Sequence, residues 1–128
     1  MPAIFDGSAL MAFQMRDATG RALWDAGAFR AAPGTAAPTV FAPGATTWTP
    51  LRHWTSPLTQ ARYPVQWQLR TPQGEYRVHA LMDAQELDSR ASTGAIYWEG
   101  LSELRDAAGR PVGRGYLEMT GYAKKLVL

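Results

Sequence analysis

Pro64-Val65-Gln66-Trp67-Gln68-Leu69-Arg70-Thr71-Pro72-Gln73-Gly74-Glu75-Tyr76-Arg77-Val78-His79-Ala80-Leu81-Met82 is the stretch that decides the fold class of this chain. Val65, Trp67 and Leu69 alternate with Gln66, Gln68 and Arg70. Beyond the Pro72-Gln73-Gly74 turn, Tyr76, Val78, Ala80 and Met82 alternate with Glu75, Arg77 and His79. A period of two sends successive side chains to opposite faces, so the stretch reads as an antiparallel hairpin with one apolar and one polar face.

The same period recurs on both sides of it. Ala9 to Arg16 alternates Met11, Phe13 and Met15 with Leu10, Ala12 and Gln14, then turns at Asp17-Ala18-Thr19-Gly20, where the glycine supplies a positive φ. Ala22 to Ala32 is the expected return strand. Toward the C-terminus, Gly94 to Leu104 and Pro111 to Tyr122 flank Arg105 to Arg110 as a third hairpin. Centring that turn places Tyr97 near Glu118, Glu99 near Tyr116, and Ile96 and Trp98 beside Leu117 and Met119. The segment 33–47 is irregular and rich in Pro, Ala and Thr, with short extended pieces at Pro38 to Phe41 and Thr46 to Leu51. Arg52 to Arg62 reads as a connecting loop. His79 to Ala91 has helix-favouring residues, but the strand period enters it, so a strand to Met82 followed by a loop is expected. Hairpins in series without crossover helices predict a single all-β domain over residues 1–128, a meander or antiparallel up-and-down barrel of about eight strands.

The chain has 128 residues, enough for one core. Apolar residues make up 46% and charged residues 19%, which argues against disorder. Formal net charge is +2, and no basic run exceeds Lys124-Lys125, so a nucleic-acid partner is not expected. There are no cysteines, which removes disulfides, thiol nucleophiles and zinc ribbons. No apolar run approaches a membrane span, and Met1 to Gly7 has neither the basic nor the apolar region of a signal peptide. The compartment stays open: a cytoplasmic protein and a piece of a longer precursor fit equally.

Three segments stand in a recognisable order: Trp54-Thr55-Ser56-Pro57 with Ala61 to Trp67; Met82-Asp83-Ala84-Gln85-Glu86; and Tyr97-Trp98-Glu99-Gly100 followed by Gly113-Arg114-Gly115-Tyr116-Leu117-Glu118-Met119-Thr120-Gly121-Tyr122. Asp6-Gly7-Ser8 and Arg16 to Gly20 fit upstream. From about Asp6 to Tyr122 the chain resembles the C-terminal lobe of the AttH-like family, which includes carotenoid 1,2-hydratases (hydroxyneurosporene synthases), proteins labelled secreted hydrolases, and lipocalin-like cyclases. The resemblance implies a lipocalin-like barrel or half-barrel, two lobes in full-length members, frequent export, and an apolar substrate within or between the lobes. The acids that the family places in its other lobe have no counterpart here. A lobe standing alone would cover its seam by dimerising, or against the missing N-terminal lobe.

Glu99, Glu118, Tyr97 and Tyr116 form the tightest polar cluster. Paired carboxylates divide acid and base roles when burial separates their pKa values, and hydration or cyclisation of an apolar polyene needs a proton donor. The same residues also suit plain cross-strand pairs on a solvent face. Asp83 and Glu86 flank Gln85 as a second acidic pair, either in a functional loop or as a cap. His53 and His79 lack ligand spacing, so no metal and no cofactor is expected. Ser56 lies in no nucleophile elbow, which leaves hydrolysis supported only by the family label. Met11, Phe13, Met15, Trp67, Leu69, Val78, Met82, Trp98, Leu117 and Met119 are expected on one face, as packed core or as the wall of a ligand cavity that Tyr116 joins. The function expected is the binding of a small apolar molecule such as a terpenoid, polyketide or lipid, with hydration or cyclisation as its catalytic form. The alternative is a non-catalytic homodimeric interaction module.

Overall fold

A computed structural model describes residues 3–32, 37–92 and 94–123, with residues 3 and 4 described by their backbone. Among them are ten strands and no helix: β1 (Ala3–Ile4), β2 (Ala9–Arg16), β3 (Ala22–Arg30), β4 (Thr39–Val40), β5 (Thr47–Thr55), β6 (Arg62–Thr71), β7 (Gly74–Ala80), β8 (Glu86–Ser89), β9 (Ala95–Asp106) and β10 (Pro111–Thr120). All pair antiparallel in one sheet, in the order β4-β3-β2-β1-β10-β9-β7-β6-β5, with β8 also on β9. The all-β, lipocalin-like expectation holds in its half-barrel form, because no ladder joins β5 to β3 or β4 among the described residues. Residues 33–36 of the irregular segment and the Lys124-Lys125 pair lie outside the described residues.

The sheet curls around one apolar core. Leu10, Tyr63, Val65, Trp67, Leu69, Val78, Trp98, Leu104, Leu117 and Met119 are buried on its concave side. Side chains rather than ladder bonds draw its two ends together. The Asp25 carboxylate on β3 accepts the Gly44 N–H at 2.7 Å and the Thr46 hydroxyl at 2.9 Å, just ahead of β5. Arg16 on β2 donates to the Trp48 carbonyl on β5 at 2.6 Å. Phe41 packs over Gly27 and donates its N–H to the Gly27 carbonyl.

Four expectations are corrected. Arg52 to Thr55 is not loop: β5 runs through it, with irregularities on either side of Arg52 that skip Leu51 on β5 and Val65 on β6. The loop after Met82 contains a further strand, β8, and β7 ends at Ala80, leaving Met82 exposed beyond it. The third hairpin is displaced by two residues: Glu118 faces Glu99, Thr120 faces Tyr97, and Tyr116 faces Leu101. Its cause is the turn, in which the Asp106 carboxylate accepts the Ala108 and Arg110 N–H groups, together with a bulge between Pro111 and Gly113. An even displacement preserves faces, so Trp98 still pairs with Met119. Finally, β2 has the opposite phase: Leu10, Ala12, Gln14 and Arg16 are the less exposed set, whereas Met11, Phe13 and Met15 are exposed.

Gly27 shows how closely the outer end is packed. A Cβ there would lie 2.7 Å from the Met11 carbonyl oxygen and 2.9 Å from Cδ2 of Phe41. Gly27→Ala is expected to destabilise the protein by about 1–3 kcal/mol, the usual scale of overpacking. Urea unfolding measures it, and an unchanged midpoint would show that the loop carrying Phe41 does not hold the end of the sheet.

Candidate functional site

Among the described residues the two-residue β1 lies between β2 and β10. Ala3 pairs with both Ala9 and Arg114, and no ladder joins the two longer strands directly among the described residues. Residues of both strands border a cavity of about 790 Å³. Its wall is built from inward positions of several strands: Leu10 and Ala12, Trp48, Trp67 and Leu69, Val78, Leu104, and Leu117 and Met119. Trp48 and Trp67 meet edge to face with centroids 5.6 Å apart. Tyr122, just past β10, borders the cavity and stacks obliquely on Tyr63, which in turn stacks on Trp54.

Polar groups enter this apolar wall at a few points. Arg16 lies with its guanidinium 5.0 Å from the Trp67 ring centroid and bonds Gln14 as well as the Trp48 carbonyl. His53 also borders the cavity, its pKa held below the ordinary histidine value by burial and by the Arg62 charge. The Tyr122 phenol is pushed up by burial, against the pull of Arg16. Arg16 and Tyr122 were not singled out on the sequence. The available signal was parity, since Arg16 falls in step with Leu10 and Ala12.

Of the residues expected to bind ligand, Trp67, Met119, Tyr116, Met11 and Phe13 border the cavity, the last three from exposed positions; Met15 and Trp98 do not. Trp98 is fully buried and donates its indole N–H to the Asp83 carbonyl at 2.7 Å. Of the candidate acids, Glu118 borders the cavity from an exposed position and sits directly across from Glu99, while Glu99 and Tyr97 lie on β9 outside the cavity wall. Two carboxylates directly opposite each other disfavour the pairing of their strands. Among the described residues no group of three His, Cys, Asp or Glu side chains is placed to hold a metal ion, and no helix is long and apolar enough to cross a membrane.

The second acidic pair has a different place. Asp83 binds Arg52 through both carboxylate oxygens, at 2.6 and 2.9 Å, and this guanidinium holds its carboxyl below the usual carboxylate range. Glu86 is more deeply engaged. One of its oxygens accepts the Ser56 hydroxyl at 2.6 Å; the other accepts Thr59 at 2.7 Å and Tyr63 at 2.6 Å. Ser56 and Tyr63 are buried, and the Ser56 oxygen also accepts the Leu58 and Thr59 N–H groups. Ser56 therefore acts as the clasp of a turn that includes Gln60 at a φ of 63°. Burial raises the Glu86 pKa, but the three hydroxyls outweigh it and leave the carboxyl below its ordinary value. Tyr63 is pushed up, by burial and then by Glu86. The segments 54–57, 82–86 and 97–100 are thus joined in space: Glu86 holds the first, pairs with Trp98 of the third, and Gln85 packs against Gly100.

The profile of the AttH-like family matches residues 3–122. A Nitrosomonas europaea protein assigned as AttH is similar in structure over 94% of this chain, with 47% sequence identity and a TM-score of 0.85. Kievitone hydratase from Nectria haematococca is similar over 95% of this chain, with 19% identity and a TM-score of 0.69. The chain spans 37% and 38% of the length of those two proteins. None of the curated proteins matches it.

Removing the Glu86 carboxylate strands two buried hydroxyls. Glu86→Ala should lower stability by roughly 2–4 kcal/mol at neutral pH, as expected for unsatisfied buried donors. Because the folded pKa lies below its ordinary 4.5, the contribution is complete above about pH 4.5 and is lost as pH falls through the folded value. Urea midpoints of the two proteins measured against pH should converge on the acid side. A constant gap down to strongly acid pH would mean that the carboxylate charge is irrelevant.

Proposed function

The chain belongs to the AttH-like family, and from that premise we propose that it binds a small apolar molecule of terpenoid, polyketide or lipid type in the interior cavity, and hydrates or cyclises it there. The observation that carries this reading is the cavity itself: about 790 Å³, within the ~300–1,000 Å³ range of small-molecule sites, with Leu10, Trp67, Leu69, Val78, Leu117 and Met119 on its wall. The fold similarity to a protein that is a hydratase supports the reaction class. Hydration adds a proton to one alkene carbon and a water oxygen to the other, and that oxygen then releases a proton. Glu118 at the cavity border, with Glu99 opposite, is the proton donor proposed; Tyr97 stands two residues from Glu99 on β9, across from Thr120. The remainder of the acceleration comes from holding one reactive conformer against an apolar wall.

The neutral probe N-phenyl-1-naphthylamine should bind with blue-shifted emission and quench Trp48 and Trp67. At about 100 times its dissociation constant it should stabilise the fold by ~2.7 kcal/mol. No binding by this probe, together with an empty organic extract of the purified protein, would reject the cavity reading. With a substrate recovered from such an extract, Glu118→Gln and Glu99→Gln should lose turnover and keep affinity. Unchanged turnover removes both acids from the reaction.

A second reading, a homodimeric interaction module, is favoured by the outer face of β2 and β3. Met15 and Trp24 face each other across the ladder and are 58% and 49% exposed. Phe13 meets Trp24 edge to face at 5.0 Å. Contiguous exposed apolar surface of this kind marks interfaces. Sedimentation should then show a concentration-dependent dimer that Trp24→Glu reduces to monomer; a wild-type monomer at all concentrations rules the dimer out.

A further inference from the structure

Arg16 is a cation on an apolar wall. Among the described residues its side chain has no carboxylate within ion-pair distance. The acid next to it, Asp17, accepts the Thr19 and Arg21 N–H groups and the Thr19 hydroxyl, all within the hairpin turn. Glu118, the other acid bordering the cavity, is exposed. Guanidinium carries five N–H donors and stays protonated in proteins. Two of the five are used, by Gln14 and by the Trp48 carbonyl, and the Trp67 ring lies beneath the plane. These contacts fix the orientation of the group and, among the described residues, leave its other three donors open.

An apolar ligand that fills the cavity expels the water around Arg16. A charge stripped of water and left unpaired is strongly unfavourable, whereas a charge-assisted pair with an oxyanion offsets that loss. A neutral hydrocarbon therefore meets a penalty at Arg16 that an acid does not. We infer that the ligand of this cavity is an amphiphile: an apolar body against Trp67, Leu69 and Leu117, ending in an acidic oxygen group (carboxylate, enolate or phenolate) seated on the Arg16 guanidinium. Tyr122, which also borders the cavity, supplies a phenol beside that head group. This rests on the cavity reading above and names the chemical class that the cavity selects.

Dodecanoate, methyl dodecanoate and dodecanol serve as probes, each titrated against bound N-phenyl-1-naphthylamine at neutral pH. With the wild-type protein, dodecanoate should displace the dye at least tenfold more effectively than the ester or the alcohol. In Arg16→Met this preference should vanish while the affinity for dodecanol is kept or rises. Arg16→Lys, which retains charge without the fork, should keep part of it. Arg16 also joins β2 to β5, so near-ultraviolet circular dichroism checks that each variant is folded; the wild-type comparison stands without them. If all three probes displace the dye equally, the head-group inference fails and the apolar cavity survives. If the dye binds and the acid is the weakest of the three, Arg16 serves only to join the sheet ends. If the dye itself does not bind, the cavity reading fails and this inference with it.

Discussion

A sheet that curls without closing must hold its first and last strands together by something other than a ladder. Here that constraint falls on two side chains, Asp25 and Arg16, which reach from β3 and β2 to the segment that begins β5. The shape of the interior follows from them. Without Asp25 the turn at Gly44 has no anchor, and without Arg16 the Trp48 carbonyl has no donor from across the seam. Arg16 also places a cation on the cavity wall beside Trp67. A single residue thus links how the sheet is held to the lining of its cavity.

The opposite corner is organised around a carboxylate. Glu86 gathers Ser56, Thr59 and Tyr63, and Tyr63 carries the aromatic stack on to Tyr122 at the cavity. Arg52 and Asp83 lock the neighbouring turn, and the Trp98 indole closes on the Asp83 carbonyl. The segments that mark the family are therefore neighbours in space, and their residues satisfy one another. Their first role is to fix the corner from which β6, β8 and β9 depart.

Much of this architecture was legible in the sequence. The hairpins around Gly20, Gly74 and Gly109 announced themselves by turn chemistry and by a period of two, and Val65, Trp67, Leu69 and Val78 face inward as that period requires. Phase was harder than period. In β2 both alternating sets are largely apolar, Leu10 and Ala12 against Met11 and Phe13, so bulk pointed to the wrong face. The polar members that identify the inward set, Gln14 and Arg16, look like surface residues until the seam they close is seen. Local irregularities hid the rest: a bulge near Val112 moved Glu99 from Tyr116 to Glu118, and β5 continues through Arg52 only because the ladder skips Leu51. The hydroxyls around Glu86 come from one stretch, residues 56–63, and no spacing rule links that stretch to a carboxylate on β8.

The knot around Glu86 has a consequence for the order of assembly. Its hydroxyl partners stand 23 to 30 residues ahead of it in the chain, with the β6–β7 hairpin between. Closing a loop of that length costs entropy before the contact repays it, so such a contact follows the local hairpins and does not precede them. The corner is a keystone, set after the arch it locks.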